Sequence, residues 1–342
     1  MKNCNVLGID LAKHIIQVCV ISKQGELVSN KAMSPDRFRE VLATSSPSIV
    51  AMEGCGACHY WGRLAEQYGH DVRVISPKRV KAFLQGQKTD ANDALAIAVA
   101  AIQCGMVFSR LKTVDQQTLQ TVETSRKLLD KELVSLGNHL RAFVYEYGII
   151  VKRGRKSLNQ IMLRVLDDIE SGLPHCLKAS LRVLWDRYKS TELQISELEK
   201  TRSGLVKQLD PCKRLLALEG VGDVCAAKLY ASLGDGKAFK NGRDASVYIG
   251  LTPKQHSSGG KTFMMGINKG GGDKELRAAL YQGALSVIST LPVEPKTVKQ
   301  AWLIALVHRA GIKRACIALA NKTVRTAWAL LSSGQSYKSV PI

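Results

Sequence analysis

The order of strand-like and helix-like segments between residues 5 and 108 constrains the fold more than any other feature. Apolar and β-branched segments predict three successive strands, after which helical and strand-like segments alternate. Predicted strands cover residues 6–9, 15–21, 26–33, 48–52 and 71–75, and predicted helices cover 35–42, 60–68 and 88–98. The resulting order, β-β-β-α-β-α-β-α, predicts an α/β domain at the start of the chain.

Four carboxylates lie where these predicted elements begin or end. Asp10 follows the first strand, Glu53 follows the fourth, and Asp90 and Asp93 lie three residues apart on one face of the last helix. Two carboxylates about 4 Å apart repel by roughly 4 kcal/mol at an effective dielectric near 20, so a cluster of four needs cations or protons. Acids at these positions are typical of the ribonuclease-H-like fold and predict a divalent-metal site for phosphodiester chemistry. The simpler interpretation is that the helix acids favour the macrodipole and that Asp10 caps a turn.

The charge of the chain points to its partner. Among 342 residues, 49 Lys+Arg stand against 29 Asp+Glu, which gives a formal net charge of +20. This excess predicts a polyanionic partner, first of all nucleic acid. We recognise no run of about 18 apolar residues and no secretory leader, so the expected location is the prokaryotic cytoplasm, without membrane contact.

The nine cysteines predict a reducing environment rather than disulfide bonds. Most of them lie singly in apolar segments, where a thiol acts as a small hydrophobic group. The exception is Cys55-Gly-Ala-Cys58-His59, which matches the pattern for haem attachment and half of a zinc ribbon. Haem attachment would need export and a zinc ribbon would need a second cysteine pair, so we adopt neither interpretation.

Residues 109–212 have a helical pattern with two long apolar seams. One seam runs from Leu119 to Tyr147 and the other from Leu177 to Leu209, both at alternating three- and four-residue spacing. This pattern predicts a coiled coil, formed either as an antiparallel hairpin within one chain or between subunits, and we favour the second alternative. A basic cluster between the seams is either a solvated loop or a phosphate contact. It consists of Lys152, Arg153, Arg155 and Lys156.

The segment around Gly220 and Gly222 has the pattern of a helix-hairpin-helix. Its glycines would let the backbone approach a phosphate that the amides of the second helix face. A plain turn between two helices is the alternative interpretation.

A second glycine-rich segment follows at Ser257-Ser258-Gly259-Gly260. Hydroxyls beside glycines, with cations nearby, could give a nucleophile access to a phosphate and offset its developing charge. The residues alone predict a phosphate-binding loop, although such a segment is also typical of a flexible surface turn. The surrounding cationic side chains are Lys254, His256, Lys261, Lys269, Lys274 and Arg277.

Several motifs together resemble those of the DEDD insertion-sequence transposases related to the Piv and MooV DNA invertases. The resemblance spans nearly the whole chain, and the motifs occur in the family's order on both sides of a helical middle. They are Gly8-Ile-Asp10, Glu53-Gly, Lys88-Thr-Asp90-Ala-Asn-Asp93-Ala, Glu219-Gly-Val-Gly222, Gly250-Leu-Thr-Pro253, Ser257-Ser258-Gly259-Gly260-Lys261 and Leu276-Arg277.

The resemblance implies an architecture and a set of partners. It implies a RuvC-like, ribonuclease-H-fold domain over residues 1–108, a coiled-coil region over 109–212 and a mainly helical transposase domain over 213–342. It also implies a recombinase that acts on donor and target DNA, is guided by a structured non-coding bridge RNA and assembles as a homotetramer.

The resemblance also implies the roles of individual residues. Asp10, Glu53, Asp90 and Asp93 would hold Mg²⁺, with Mn²⁺ as the alternative. Ser258 would form a covalent phosphoserine linkage with DNA, and Ser257 is the adjacent alternative. The acids and the serine must then meet, within one protomer or across two. The loop from Gly54 to His59 departs from the short Thr/Gly/Ser stretch of relatives, so the metal is less well specified than its site.

Two other functions remain open on the sequence. One is a metal-dependent RuvC-like resolvase or nuclease, in which water attacks the DNA and Ser258 only binds phosphate. The other is a non-catalytic scaffold that binds nucleic acid through its charge.

Overall fold

A computed structural model describes residues 5–22, 24–167, 173–267 and 271–342 of the chain. The chain divides into two compact units, Met1–Thr113 and Val114–Ile342. The predicted domain boundary after residue 108 lies close to this division. The boundary predicted after residue 212 falls within a helix, and the division into three domains stays a prediction.

The first unit is built on a five-stranded mixed sheet with the strand order β3-β2-β1-β4-β5. The first three strands form an antiparallel meander, and β4 and β5 add to β1 in parallel. This arrangement is compatible with the ribonuclease-H-like fold predicted for this part of the chain. The strands are β1 (Val6–Leu11), β2 (Ile16–Ile21), β3 (Leu27–Met33), β4 (Ile49–Glu53) and β5 (Asp71–Ile75).

Helices cover both faces of this sheet. On one face, the side chains of α1 and α2, including Phe38 and Trp61, pack with Ile9 of β1. On the other face, alanines of α4 pack with Cys19 and Ala51. The helices are α1 (Pro35–Thr44), α2 (Cys58–Gln67), α3 (Pro77–Val80) and α4 (Asp90–Ala101), with a 3₁₀ turn at Lys81–Phe83. The predicted order of elements is therefore present, with α3 and the 3₁₀ turn added between β5 and α4.

Gly8 lets α4 lie directly on the central strand β1. A Cβ atom at this position would lie 2.3 Å from the carbonyl oxygen of Ala94 and 2.5 Å from the amide nitrogen of Ala98. No side chain fits at such distances, so only glycine allows the strand and the helix to approach this closely. This contact holds the first turn of α4 beside the end of β1.

The second unit begins with two long antiparallel helices, α5 (Val114–Tyr145) and α7 (His175–Gln208), accompanied by α6 (Arg155–Asp167). Arg202 donates to Glu123 at 2.8 Å, and Arg187 forms an ion pair with Glu132 at 2.6 Å. Seam residues of both helices are buried in one core with α6. The preference for an intersubunit seam is therefore wrong for these residues. The heptad period shows that two helices pack together, but it does not show whether they belong to one chain.

The rest of the second unit is mainly helical, as predicted. One hydrophobic core joins α8, α9, α11 and α13, and its buried residues include Leu215, Leu229, Leu276 and Val324. Within the described ranges, no helix is long and apolar enough to cross a membrane. The elements are α8 (Asp210–Leu216), α9 (Asp223–Leu233), α10 (Gly242–Ile249), β6 (Pro253–Ser258), β7 (Lys261–Ile267), α11 (Lys274–Ser289), α12 (Val298–Ala310) and α13 (Ile312–Ser333).

Candidate metal centre and serine hairpin

Three of the four predicted acids come together in the first unit. Asp10 lies on β1 next to its last residue, and Asp90 and Asp93 lie in the first turn of α4. One carboxylate oxygen from each of the three lies within 4.8 Å of the others. Thr89 caps the helix by accepting a hydrogen bond from the amide of Asn92 at 3.3 Å, which fixes the start of α4. A compact group of oxygen donors of this kind suits a hard divalent cation.

Glu53 lies at the end of β4, the parallel neighbour of β1, and is half-buried. It is outside the compact group of three, but two members of that group act on it electrostatically. Burial raises the pKa of Glu53, and the charges of Asp10 and Asp93 raise it further. The structure thus places all four predicted acids in one electrostatic neighbourhood, with Glu53 at its edge. Their role as metal ligands stays a prediction.

The raised pKa of Asp10 shows that bringing the acids together is electrostatically unfavourable. Burial raises the pKa of Asp10, and repulsion by Asp93 and then Asp90 adds to the increase. Lys88 acts in the opposite direction without removing it. The ionised carboxylates are therefore held together against their mutual repulsion, and a bound cation would stabilise them in this form.

The cysteine loop after Glu53 is shaped by backbone contacts. The amide of Gly54 donates to the carbonyl of Ile75 at 2.8 Å, and Ala57 adopts a left-handed backbone with φ of 67°. Cys55 and Cys58 are free thiols. Burial, followed by the nearby Cys58 and Glu53, raises the pKa of Cys55 to about 11. The Cys55 side chain is therefore a protonated thiol near neutral pH.

The serine and glycine segment forms the exposed end of a β-hairpin, where the sequence predicted a phosphate-binding loop or a surface turn. Ser258 pairs with Lys261 across the turn, and Gly259 and Gly260 have φ values of 55° and 74°. Positive φ at both central residues is typical of a type I′ hairpin turn, for which glycine is well suited. Every residue of β6 is exposed, and so is every residue of β7 except its last, Ile267.

The two serines of the hairpin differ in their contacts. The hydroxyl of Ser257 accepts a hydrogen bond from the Gln255 amide at 3.2 Å and lies 3.3 Å from the Thr262 hydroxyl. Within the described part of the chain, Ser258 makes no side-chain hydrogen bond. The oxygen of Ser258 is therefore available at the exposed end of the hairpin, whereas that of Ser257 is engaged.

The cations predicted around the serines have different surroundings. Lys254, His256 and Lys261 are exposed on the hairpin. Arg277 instead donates to the carbonyl oxygens of Ile249 at 2.8 Å and Gly271 at 2.5 Å. It therefore links the segment before the hairpin to the segment after it. Lys269 lies outside the described residues. Phosphate contacts by these side chains stay predictions.

The glycines of the predicted helix-hairpin-helix also have different roles. Gly220 faces α11, because a Cβ atom there would lie 2.6 Å from the carbonyl oxygen of Gly283. The space beside the Gly220 Cα atom is therefore filled by the chain itself, and a phosphate contact by this glycine stays a prediction. Gly222 precedes α9, and a Cβ atom at this position would meet nothing within 4 Å. The side of the turn at Gly222 is therefore open, and a phosphate contact there stays a prediction.

The basic cluster between the predicted seams is exposed at all four of its cations. Arg155 pairs with Asp130 at 3.3 Å, and the other three make no ion pair among the residues that the structure describes. The cluster is composed of Lys152, Arg153, Arg155 and Lys156.

Gly8 and Arg277 are positioning residues, and their roles differ from those predicted from the sequence. Gly8 had been noted only as part of a motif, and Arg277 as part of a motif and as one of the cations around the serines. For Gly8 a signal was present, since Ala94 and Ala98 lie four residues apart on α4 and offer a small-residue face to a strand glycine. No comparable signal indicates that Arg277 contacts backbone carbonyls.

Comparisons with known proteins support this description. A DEDD transposase model matches residues 7–149, and a model described as the transposase IS116/IS110/IS902 family matches residues 212–299. The transposase for insertion sequence element IS1111A of Coxiella burnetii is 35% identical over 99% of this chain and 92% of its own length. A probable family 20 transposase of Pseudomonas aeruginosa is 34% identical over 98% of this chain and 99% of its own. A pilin gene-inverting protein of Moraxella bovis is 23% identical over 86% of each chain.

The match to the DEDD transposase model and the homologous transposases define a class of enzymes that cleave and rejoin DNA strands. The chain belongs to the DEDD IS110/IS116 family of transposases. It is a DNA transposase, and DNA is its substrate.

Proposed function

We propose that the chain is an insertion-sequence recombinase in which Ser258 attacks donor and target DNA and the four acids hold Mg²⁺. The observation that carries the nucleophile assignment is the difference between the two serines. The Ser258 hydroxyl is exposed and without a side-chain hydrogen bond among the described residues, whereas Ser257 is engaged with Gln255 and Thr262. A nucleophile needs an accessible oxygen, so the geometry favours Ser258.

The proposed reaction conserves the energy of the cleaved phosphodiester bond, because each step exchanges one phosphate ester for another. The Ser258 oxygen attacks the phosphorus, the bond from phosphorus to one deoxyribose oxygen breaks, and the serine proton is lost as the sugar oxygen gains one. A sugar hydroxyl of the other DNA then attacks the phosphoserine, forms the new phosphodiester and releases the serine. Because the linkage is kept on the protein, rejoining needs no ATP.

The acids complement this reaction. Asp10, Asp90 and Asp93, with Glu53 at the edge, would hold Mg²⁺ in preference to softer metals because all of their donors are oxygens. When bound, the ion supplies positive charge that stabilises the phosphoryl oxygens. Mn²⁺ is the alternative because it accepts the same ligands.

A bridge RNA and a tetramer complete the proposal. The basic cluster offers exposed cations to an RNA backbone, and the net charge of +20 favours a second nucleic-acid partner. The hairpin that carries Ser258 is exposed along nearly its whole length, so assembly across protomers would supply contacts that fix it. The name of the Moraxella bovis relative points to DNA inversion, which uses the same cutting and rejoining.

A covalent-adduct experiment tests the nucleophile. Purified protein is incubated with Mg²⁺, a transcript of the DNA flanking its gene and labelled element-junction DNA, then denatured and separated by size. We expect a protein–DNA band with the wild type and with Ser257→Ala, and none with Ser258→Ala. Loss of the band in Ser257→Ala alone would transfer the role to Ser257. Omission of the transcript should abolish the band, and full activity without it would contradict RNA guidance.

The alternative is a metal-dependent RuvC-like junction resolvase or nuclease without a serine nucleophile. One observation favours it, because three carboxylates lie within 4.8 Å of one another in the first unit by itself. Strand cleavage that proceeds without any covalent band and is unaffected by Ser258→Ala would establish this alternative.

A further inference from the structure

A basic groove lies between α10 and α13, outside the residues assigned so far. It has a volume of about 650 Å³. Gly242 lets the first turn of α10 lie on α13, since a Cβ atom there would be 3.1 Å from the Cα atom of Arg325. The walls are therefore two helices in backbone contact. The lining residues are Asn241, Gly242, Arg243, Lys322, Arg325, Thr326, Trp328 and Ala329.

The groove contains three cations and no lining carboxylate. Arg243, Lys322 and Arg325 are exposed, and none of them forms an ion pair among the residues that the structure describes. The Lys322 ammonium lies 4.8 Å from the centre of the Trp302 ring, a cation–π contact that restrains it without neutralising it. Like charges held on two packed helices repel each other, and a polyanion would relieve that repulsion.

Recognition in this groove must come from side chains. The side-chain oxygen Oδ1 of Asn241 accepts from the backbone amides of Arg243 at 2.8 Å and Asp244 at 3.0 Å, so the start of α10 is already capped. Trp328 is half-buried and donates to the Gly236 carbonyl at 2.9 Å, which fixes its ring in the wall and leaves little of it for stacking on a base. Two guanidinium groups and an ammonium are the side chains that bind phosphates of a DNA backbone.

We propose that this groove binds the phosphate backbone of duplex DNA without reading its sequence. The proposal deepens the proposed function and rests on it for the identity of the polyanion. It gives the DNA a second anchor, separate from the hairpin of Ser258. Three phosphate contacts would contribute a slope of about −2.7 to the dependence of log affinity on log salt concentration.

The test measures equilibrium binding of the full chain to duplex junction DNA by fluorescence anisotropy, in EDTA and over 50–200 mM salt. The groove variant combines Arg243→Ala, Lys322→Ala and Arg325→Ala. We expect its salt slope to be less steep by two to three, and its affinity at 100 mM salt to fall at least tenfold. A second variant, with Arg243→Lys and Arg325→Lys, keeps the charge and should keep the slope within about half a unit. Circular dichroism and thermal unfolding check that each variant is folded.

A matched control removes the same charge elsewhere. Lys131→Ala, Lys200→Ala and Lys207→Ala change exposed cations on α5 and α7 that make no ion pair among the described residues. The proposal is overturned if this control flattens the slope as much as the groove variant, or if the groove variant leaves the slope unchanged. It is also overturned if the groove variant loses affinity only for single-stranded DNA or for the RNA transcript.

The outcome is separable from that of the proposed function. Binding in EDTA involves no strand cleavage, so the absence of a serine–DNA adduct would leave the groove result valid. Conversely, a wild-type adduct combined with an unchanged slope in the groove variant would reject the groove alone.

Discussion

The two regions that carry the proposed chemistry differ in how the chain holds them. The acids of the first unit lie on packed elements, since Asp10 follows the fully buried Ile9 on a central strand and Asp93 precedes the fully buried Ala94 on α4. Ser258 lies at the end of a two-stranded hairpin that is almost entirely exposed. The acids are therefore positioned by the core, and the serine by a single turn.

This difference indicates that the hairpin of Ser258, rather than the acidic group, needs further contacts to become fixed. A two-stranded hairpin is marginally stable in water unless it packs against something else. The acidic group instead needs no further packing, only a cation to offset its repulsion. We infer that binding of DNA or of another protomer completes the serine side of the reaction, while the metal side exists beforehand.

The largest expected effect comes from the acids. Asp90→Asn should lower the rate of strand cleavage at least a hundredfold, because it removes a charged donor from the compact group. The rate is measured on labelled junction DNA at saturating Mg²⁺. Asp36→Asn, an exposed acid in the first turn of α1, is the matched control and should leave the rate unchanged. An unchanged rate in Asp90→Asn would reject the metal assignment.

The next effect concerns the contact that assembles the acids. Gly8→Ala should lower the free energy of unfolding of the first unit by about 2 to 4 kcal/mol, because its methyl group cannot fit 2.3 Å from the Ala94 carbonyl. α4 would have to move away from β1, and with it Asp90 and Asp93. Cleavage should therefore fall even at temperatures where the variant is folded.

Chemical denaturation, monitored together with cleavage, checks this expectation. Gly56→Ala is the control in the same unit, because a Cβ atom at position 56 would meet nothing within 4 Å. If Gly8→Ala were as stable and as active as Gly56→Ala, the strand–helix contact could not be what positions the acids.

The same contrast explains how much could be predicted from the sequence. The strands and acids of the first unit were predictable because most of these strands carry apolar or β-branched segments. The buried strand β4 (Ile49–Glu53) differs from its predicted bounds, 48–52, by one residue at each end, and β5 has the predicted bounds, Asp71–Ile75. The hairpin could not be predicted, because β6 and β7 are exposed on both faces and show no alternation of apolar and polar residues. Likewise, a glycine such as Gly220 indicates conformational freedom without indicating which neighbour fills the space beside it.

A smaller effect is expected at the serine turn. Gly259→Ala forces a methyl group onto a backbone with φ of 55°, which costs roughly 1 kcal/mol. Because the hairpin packs against little, the midpoint of global unfolding should not change, while formation of the covalent adduct should fall about fivefold. Gly266→Ala on β7 is the control, since that position has no positive φ and is open. A large loss of global stability in Gly259→Ala would show that the hairpin is part of the core.

The smallest effect concerns stability without metal. Burial and the charges of Asp93 and Asp90 raise the pKa of Asp10, so the folded state loses stability as pH rises from the unfolded pKa through this raised value. In EDTA at pH 7, Asp93→Asn should therefore raise the midpoint of thermal unfolding by a few degrees, since it removes roughly 1 kcal/mol of repulsion. The gain should disappear near pH 4, where Asp10, whose pKa is raised, becomes protonated.

Scanning fluorimetry with and without Mg²⁺ compares the thermal unfolding midpoints of the wild type and Asp93→Asn. The wild type should gain stability when Mg²⁺ is added and Asp93→Asn should gain much less, because the acids that repel each other are those that bind the ion. Asp71→Asn is the control, since Asp71 is paired with Arg73 at 2.8 Å and its loss should not stabilise the protein. A lower midpoint for Asp93→Asn in EDTA would mean that this carboxylate is already stabilised within the chain, and the acidic group would then have no excess repulsion for a cation to relieve.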